Sequence, residues 1–144
     1  MPVELIRQPD GLGQPLGRYS QVAIASGTQI VSVAGQVGIV ASGELAGDGS
    51  LTAQTRQAFA NVVTALGAAG LHTGDIFKTT TFLVGAERIE EFMAARTTAF
   101  DEFFPGGQYP PNTLLVVSRL VEARFLIEVE ALAIRGVGVA PDAG

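Results

Sequence analysis

Two carboxylates near the end of the chain have a spacing that suits chemistry on one face of a strand. Glu128 and Glu130 lie two residues apart in the run LIEVEAL, residues 126–132. Successive strand side chains point to opposite faces, so both carboxylates share one face and the apolar residues between them share the other. A carboxylate at the lip of a site activates water as a general base or accepts a hydrogen bond from a ligand. Two solvated acids on an open sheet face is the alternative, and spacing alone does not decide between them.

Tyr19 and Gly35 are two further candidates for a site. Tyr19 follows the glycine-rich segment 11–17 and joins an apolar ring to a hydroxyl group. Gly35 lies inside a strand-like run, where a glycine indicates close approach of a neighbour or a ligand to the backbone. Arg18 and His72 are expected to be surface residues without a role in a site.

Composition excludes several kinds of chemistry. The chain has no Cys and one His, so no disulfide, thiolate nucleophile or Cys/His metal site is expected, and no cofactor is predicted. The net charge is −5, and the eight Arg and one Lys form no basic run, which disfavours a nucleic-acid partner. No apolar run approaches the roughly 20 residues of a membrane span, and no signal peptide is recognised. We therefore expect a cytoplasmic protein with no membrane partner.

Length and hydropathy predict one domain that self-associates. The 144 residues suit a single core, assigned to residues 1–135, with a frayed tail at 136–144. Apolar residues make up 47% of the chain and charged residues only 16%, whereas about 25% charged is usual. Such a chain has more apolar material than an isolated domain needs.

Periodicity predicts the element order β-β-β-α-β-α-β-β. The predicted strands are 3–7, 21–26, 29–35, 75–84, 113–117 and 125–134, and the predicted helices are 51–69 and 87–104. Gly27-Thr28 predicts a tight hairpin turn between the second and third strands. Ser50 and Gly70 suit the two ends of the first helix. This order is typical of an α+β domain with both helices on one sheet face, which leaves the other face to be covered by another copy.

Three segments resemble a known family. VAGQV at 33–37, AAGL with GDIFKTT at 68–80, and IEVEALAI at 127–134 are similar to the reactive-intermediate deaminases, also called RidA or YjgF-like proteins. The resemblance runs from about Gly17 to Arg135. It implies a chorismate-mutase-like fold assembled as a homotrimer, with small-molecule clefts between subunits. It also implies hydrolysis of short-lived enamines or imines, made by pyridoxal-phosphate enzymes, to a 2-oxo acid and ammonia.

The family's site residues map onto this chain only in part. Tyr19 matches a tyrosine that lines the cleft, Gly35 matches a hairpin glycine, and Glu128 matches the glutamate that positions or activates water. The family's small or Cys position falls on Leu114. The arginine that binds the substrate carboxylate in the family falls on Asn112, so this chain is a divergent member.

The change at Asn112 leaves the function open. Loss of a bidentate guanidinium–carboxylate contact costs about 3 kcal/mol, on the order of a hundredfold in affinity. Arg18, or Arg96 on the apolar stripe of the second helix, are the candidates to replace it. One hypothesis is an imine hydrolase that uses Glu128, with Tyr19 and Asn112 orienting the ligand. The other is a small-molecule-binding trimer that has lost the chemistry, and RNA binding is a third, disfavoured interpretation.

Overall fold

The computed structural model describes residues 2–138, and its elements follow the predicted order. The strands are β1 (Val3–Ile6), β2 (Val22–Ala25), β3 (Gln29–Val37), β4 (Ile76–Val84), β5 (Asn112–Val117) and β6 (Ile127–Arg135). The helices are α1 (Leu51–Ala68) and α2 (Ile89–Phe103), and a short 3-10 turn precedes β4 and another precedes α2. The α+β class is therefore confirmed. Most of the predicted tail lies outside the described residues.

The strands form a mixed sheet of four and a separate antiparallel pair. The order in the larger sheet is β3-β6-β4-β5, in which β4 and β5 are parallel and the other pairs antiparallel. The predicted hairpin between the second and third strands is wrong, because β2 pairs with β1 and β3 pairs with β6. The Gly27-Thr28 segment binds the end of β6 instead, where the Thr28 amide donates to the Arg135 carbonyl at 2.8 Å. A Cβ at Gly27 would lie 2.0 Å from that oxygen, so only glycine fits there.

The core lies between the two helices and one face of the larger sheet. On β6, Ile127 and Val129 are fully buried on this face, while Glu128 and Glu130 lie on the other face, as predicted. The rings of Phe59 and Phe100 meet edge to face, with centroids 5.1 Å apart, and this contact joins α1 to α2. The alternation on β6 therefore decides which side chains the helices cover and which remain available for a site.

Local signals set both ends of α1. The Ser50 hydroxyl accepts a hydrogen bond from the Ala53 amide at 3.2 Å, which confirms the predicted N-cap. At the other end Gly70 has φ of 71°, and the Leu71 amide donates to the Leu66 carbonyl at 2.9 Å. The Gly70 amide also donates to the Gly67 carbonyl at 3.0 Å, and the two bonds form a Schellman motif, which confirms that the helix ends at this glycine.

Gln54 of α1 is completely buried and connects two loops to the helix. Its amide nitrogen donates to the carbonyls of Gly49 and Arg124, at 2.9 and 3.1 Å. Its amide oxygen accepts from the Leu126 amide at 2.9 Å. The hydrogen bonds of Gln54 therefore fix the backbone just before β6, and this fixes the start of the strand that carries Glu128.

The sheet face opposite the helices is exposed in the single chain. Ile30, Leu115 and Leu132 are among its exposed apolar side chains, with Ile30 70% accessible. Within residues 2–138, neither helix combines the length and the hydropathy needed to cross a membrane.

Candidate functional site

A cavity of about 530 Å³ lies between β5, α2 and the segment before β2, and we call it the β5–α2 pocket. Its polar lining residues are Tyr19, Gln21, Arg96, Asn112 and Thr113, and its apolar lining residues are Leu16, Ile89, Met93 and Leu114. Three of the predicted ligand-binding residues, Tyr19, Asn112 and Leu114, therefore lie in one cavity. This volume is in the range of small-molecule sites.

Asn112 and Tyr19 are oriented by neighbours and keep donors available. The Asn112 amide oxygen accepts hydrogen bonds from the Thr79 and Thr81 hydroxyls at 2.9 and 3.0 Å. Its amide nitrogen has no hydrogen-bond partner among the described residues. The Tyr19 hydroxyl accepts from the Leu16 amide at 3.1 Å, which leaves its own proton to donate. The pocket therefore offers two neutral donors to a ligand.

Arg96 is the one cation that lines the β5–α2 pocket within the described chain, and it is 4% exposed. Its Cζ lies 5.5 Å from the ring centroid of Phe92 and 5.8 Å from that of Phe100. Its one hydrogen-bond partner in residues 2–138 is the Met93 sulfur, 3.2 Å from Nη2. Burial lowers the pKa of Arg96, while the nearby Tyr19 acts in the opposite direction. The guanidinium thus lies in a polarisable, mostly apolar environment without an acidic partner.

Arg18, the other candidate to replace the family arginine, is already paired. It forms an ion pair with Asp101, and its Nη1 also donates to the Tyr109 hydroxyl at 3.0 Å. The hydrogen bond with Asp101 raises the pKa of Arg18. These contacts connect the segment before β2 to α2 and Tyr109, which is a structural role.

Glu128 lies in a second depression, of about 420 Å³, on the open face of the sheet, and we call it the Glu128 depression. Its lining residues are Gly35, Phe82, Val117, Arg119, Leu120, Val121, Glu128 and Glu130. A Cβ at Gly35 would lie 2.1 Å from the Glu128 Oε1, so the carboxylate occupies space that only a glycine leaves. The predicted close approach at Gly35 is confirmed. No described residue pairs with the Glu128 carboxylate, which leaves it available to a water molecule.

The five predicted site residues form two groups on opposite faces of the sheet. Asn112 bonds to Thr79 and Thr81, which are buried beneath the helices, whereas Glu128 projects from the open face. The two cavities share no lining residue. A single chain therefore does not bring Tyr19 and Asn112 to Glu128.

Sequence reasoning missed Arg119 and found Arg96 only as one of two alternatives. Arg119 lines the Glu128 depression and donates to the carbonyls of Leu120 and Val121, and no local pattern marks it. Arg96 is a candidate from the sequence, since an arginine four residues after Phe92 interrupts the apolar stripe of α2. Its burial and its lack of an acidic partner depend on packing that the stripe does not specify.

Comparisons with known proteins agree with this fold. The sequence model of the family described as Endoribonuclease L-PSP matches residues 12–135. A RutC family protein of Pyrococcus horikoshii is 36% identical over 121 residues, covering 83% of this chain and 89% of that protein. The 2-iminobutanoate/2-iminopropanoate deaminase of Escherichia coli K12 is 33% identical over 123 residues, with the same two coverages of 83% and 89%.

Solved structures give the same result. The Rid-family protein YyfB of Yersinia pestis superposes with a TM-score of 0.82 at 28% identity, covering 94% of this chain and all of that one. Escherichia coli TdcF with bound serine has a TM-score of 0.65 at 28% identity and covers 93% of this chain and 98% of its own. The chain belongs to the RidA/YjgF-like family, whose sequence model is the one described as Endoribonuclease L-PSP. The resemblance seen in the sequence, and the fold class it implied, are thereby confirmed.

Proposed function

We propose that this protein hydrolyses a reactive enamine or imine to a carbonyl compound and ammonia. The observation that carries the proposal is the Glu128 carboxylate, half-buried and without a partner among the described residues, in the space left by Gly35. A carboxylate in that state accepts a proton from water as the water attacks a C=N carbon. The deaminase named among the relatives of this chain supports the same reaction class.

The reaction needs one water molecule and no other reactant. An enamine first tautomerises to the imine, which reacts in its protonated form. Water adds its oxygen to the C=N carbon while Glu128 takes one of the water protons, which gives a neutral carbinolamine. Glu128 returns this proton to the nitrogen, and the C–N bond then breaks while the hydroxyl proton passes to the departing ammonia, which leaves the carbonyl product and an ammonium ion. Tyr19 and the Asn112 amide nitrogen supply hydrogen bonds that orient the ligand.

This function requires a second copy of the chain, because Glu128 and the β5–α2 pocket lie on opposite faces of one sheet. A ligand reaches both groups only where the open face of one copy meets the β5 edge of another. We expect the homotrimer that the family resemblance implies to make such contacts. The exposed apolar side chains of the open face support that assembly.

The test is a comparison of Glu128→Gln with Glu130→Gln on freshly generated imines of varied side chain. Glu128→Gln keeps the shape and removes the base, so we expect hydrolysis to fall by about 10²–10⁴-fold. Glu130 shares the face of Glu128 and lines the same depression, but it is exposed and the space left by Gly35 is filled by Glu128, so Glu130→Gln is expected to keep most of the activity. A wild-type protein that does not accelerate imine decay, or a Glu128→Gln variant as active as wild type, contradicts the proposal.

A second function, ligand binding without turnover, is favoured by one observation. The Asn112 oxygen is fully engaged by Thr79 and Thr81, so this position provides no charge and only the amide donor. A binding protein of this kind binds small carboxylates or amides and leaves imine decay unchanged. Imine turnover that disappears in Glu128→Gln excludes it.

A further inference from the structure

Arg96 is a buried cation for which the described chain supplies no anion. Removing a guanidinium from water without an acidic partner is costly, and arginine stays protonated at any ordinary pH. The rings of Phe92 and Phe100, 5.5 and 5.8 Å away, compensate only in part for the lost hydration. A site that keeps such a cation without a partner is suited to an anion from outside the chain.

The local structure holds the Arg96 side chain in one place. A Cβ at Gly17 would lie 2.4 Å from the Arg96 Nη2, so the guanidinium occupies space that this glycine leaves free. The Met93 sulfur lies 3.2 Å from the same nitrogen. A side chain fixed before the ligand arrives loses little conformational entropy when it binds.

The walls around Arg96 indicate what the anion carries. None of the described residues lining the β5–α2 pocket is acidic, and Tyr19 and the Asn112 amide offer donors. Gln21 and Thr113 add two neutral polar groups, and the rest of the wall is apolar, formed by Leu16, Ile89, Met93 and Leu114. A ligand with a carboxylate at one end and an apolar side chain at the other satisfies both parts of the cavity.

We infer that Arg96 binds the carboxylate of a substrate whose side chain is apolar and packs against Leu114, Met93 and Ile89. This inference deepens the proposed function, and it rests on that proposal in taking the β5–α2 pocket as part of the reaction cleft. The carboxylate is thus held from helix α2 and not from the start of β5, where Asn112 stands. Arg18, paired with Asp101, has no part in it.

The experiment measures binding of 4-methyl-2-oxopentanoate, a product-type carboxylate, by calorimetry to wild type, Arg96→Met and Arg18→Met. We expect Arg96→Met to bind about a hundredfold more weakly, as loss of a charge-assisted bidentate contact implies, and Arg18→Met to bind within about threefold of wild type. The neutral ketone 4-methylpentan-2-one is expected to bind wild type about a hundredfold more weakly than the acid. Pyruvate lacks the apolar side chain, and its affinity is expected to be at least tenfold lower than that of 4-methyl-2-oxopentanoate.

Several outcomes overturn the inference. Arg96→Met must not bind the acid as tightly as wild type does, and Arg18→Met must not show the weaker binding expected of Arg96→Met. Wild type that binds the acid and the ketone equally, or binds neither of them, also contradicts the inference. Methionine replaces an unpaired buried cation, so Arg96→Met should melt no lower than wild type. If that variant does not fold, Gly17→Ala provides the test, because its Cβ displaces the Arg96 Nη2 and should weaken binding at least tenfold.

The result is separable from that of the proposed function. Arg96-dependent binding without acceleration of imine decay supports the carboxylate site and contradicts the hydrolase. Imine hydrolysis that requires Glu128 but is indifferent to Arg96→Met supports the hydrolase and contradicts the carboxylate site.

Discussion

The position of the Glu128 carboxylate depends on a bulge in the strand beside it. Between Val33 and Gln36 the register of β3 against β6 shifts, and Gly35 lies in this bulge. A bulge bends its strand and redirects the local side chains. The glycine at the bulge then leaves the volume that the carboxylate fills, so strand geometry and residue type act together at one point.

Replacement of Gly35 by Ala should therefore impair catalysis much more than folding. The new Cβ would lie 2.1 Å from the Glu128 Oε1, so the carboxylate must move by about an ångström. A displacement of that size costs on the order of a hundredfold in rate. Imine hydrolysis by Gly35→Ala measures this, with urea unfolding to confirm the fold.

Gly13→Ala is the matched control for that substitution. An added Cβ at Gly13 meets no atom within 4 Å, so activity and stability should both remain close to wild type. Equal activity in Gly35→Ala and Gly13→Ala would show that the space beside Glu128 has no role in the reaction.

The family resemblance predicts one cleft that contains Tyr19, Asn112 and Leu114 together with Gly35 and Glu128. In the single chain the first three line one cavity, and Gly35 and Glu128 line another. Arg18 is paired because Asp101 lies beside it, whereas Arg96 lies against aromatic rings and has no acidic partner among the described residues. The sequence does not show these positions in space. Ion pairs between residues 83 positions apart leave no trace in a local pattern.

At the scale of elements, α1 offers a stability test that does not depend on the site. Gly67 is exposed in the last turn of α1, and a Cβ there meets nothing within 4 Å. Gly67→Ala should raise the free energy of unfolding by about 0.5–1 kcal/mol, because glycine loses more backbone entropy in a helix than alanine does. Chemical denaturation of the variant measures this.

Gly70, three residues further on, is the control with the opposite sign. Its φ of 71° is unfavourable for alanine, so Gly70→Ala should lower the free energy of unfolding by about 1 kcal/mol or more. Stabilisation by both substitutions would mean that the Schellman motif does not end the helix as described.

Helices and strands whose signals lie within a few consecutive residues are predicted well from the sequence. The pairing of strands with one another is predicted poorly. The 3.6-residue period located α1 and α2, Ser50 and Gly70 marked the ends of α1, and alternation assigned the faces of β6. The hairpin prediction at Gly27-Thr28 was wrong, because a turn dipeptide indicates that the chain bends but not which strands pair. The strand that pairs with β3 is β6, which lies about 100 residues further along the chain. A pattern read over a few consecutive residues contains no information about this pairing.

At the scale of the whole molecule, part of the apolar excess of the composition consists of exposed side chains on the open face of the sheet. Leu115 of β5 is 44% exposed there, and its neighbour on β4 is Phe82. Burial of such a face against other copies removes apolar area from water. It also places the Glu128 depression near a neighbouring chain, as the proposed function requires.

Leu115→Asp should therefore convert the proposed trimer to monomers and abolish imine hydrolysis at the same time. A carboxylate in an apolar interface is strongly unfavourable without a partner. Light scattering during gel filtration should give one chain mass in place of three. Thr64→Asp adds the same charge on an exposed part of α1 and should change neither mass nor activity. A wild type that is already monomeric, or a monomeric Leu115→Asp that keeps full activity, contradicts the composite cleft.

Gln54 has a consequence for how this protein can change over evolutionary time. Because it binds the Arg124 carbonyl and the Leu126 amide, the chain rejoins the sheet at the same place whatever path residues 118–123 take. Lengthening a surface loop adds little to the entropy of closing it. Leu120 and Val121, which line the Glu128 depression, lie in this loop. Descendants of this sequence can therefore gain or lose loop residues, and so acquire new substrates, while the reacting carboxylate remains where it is.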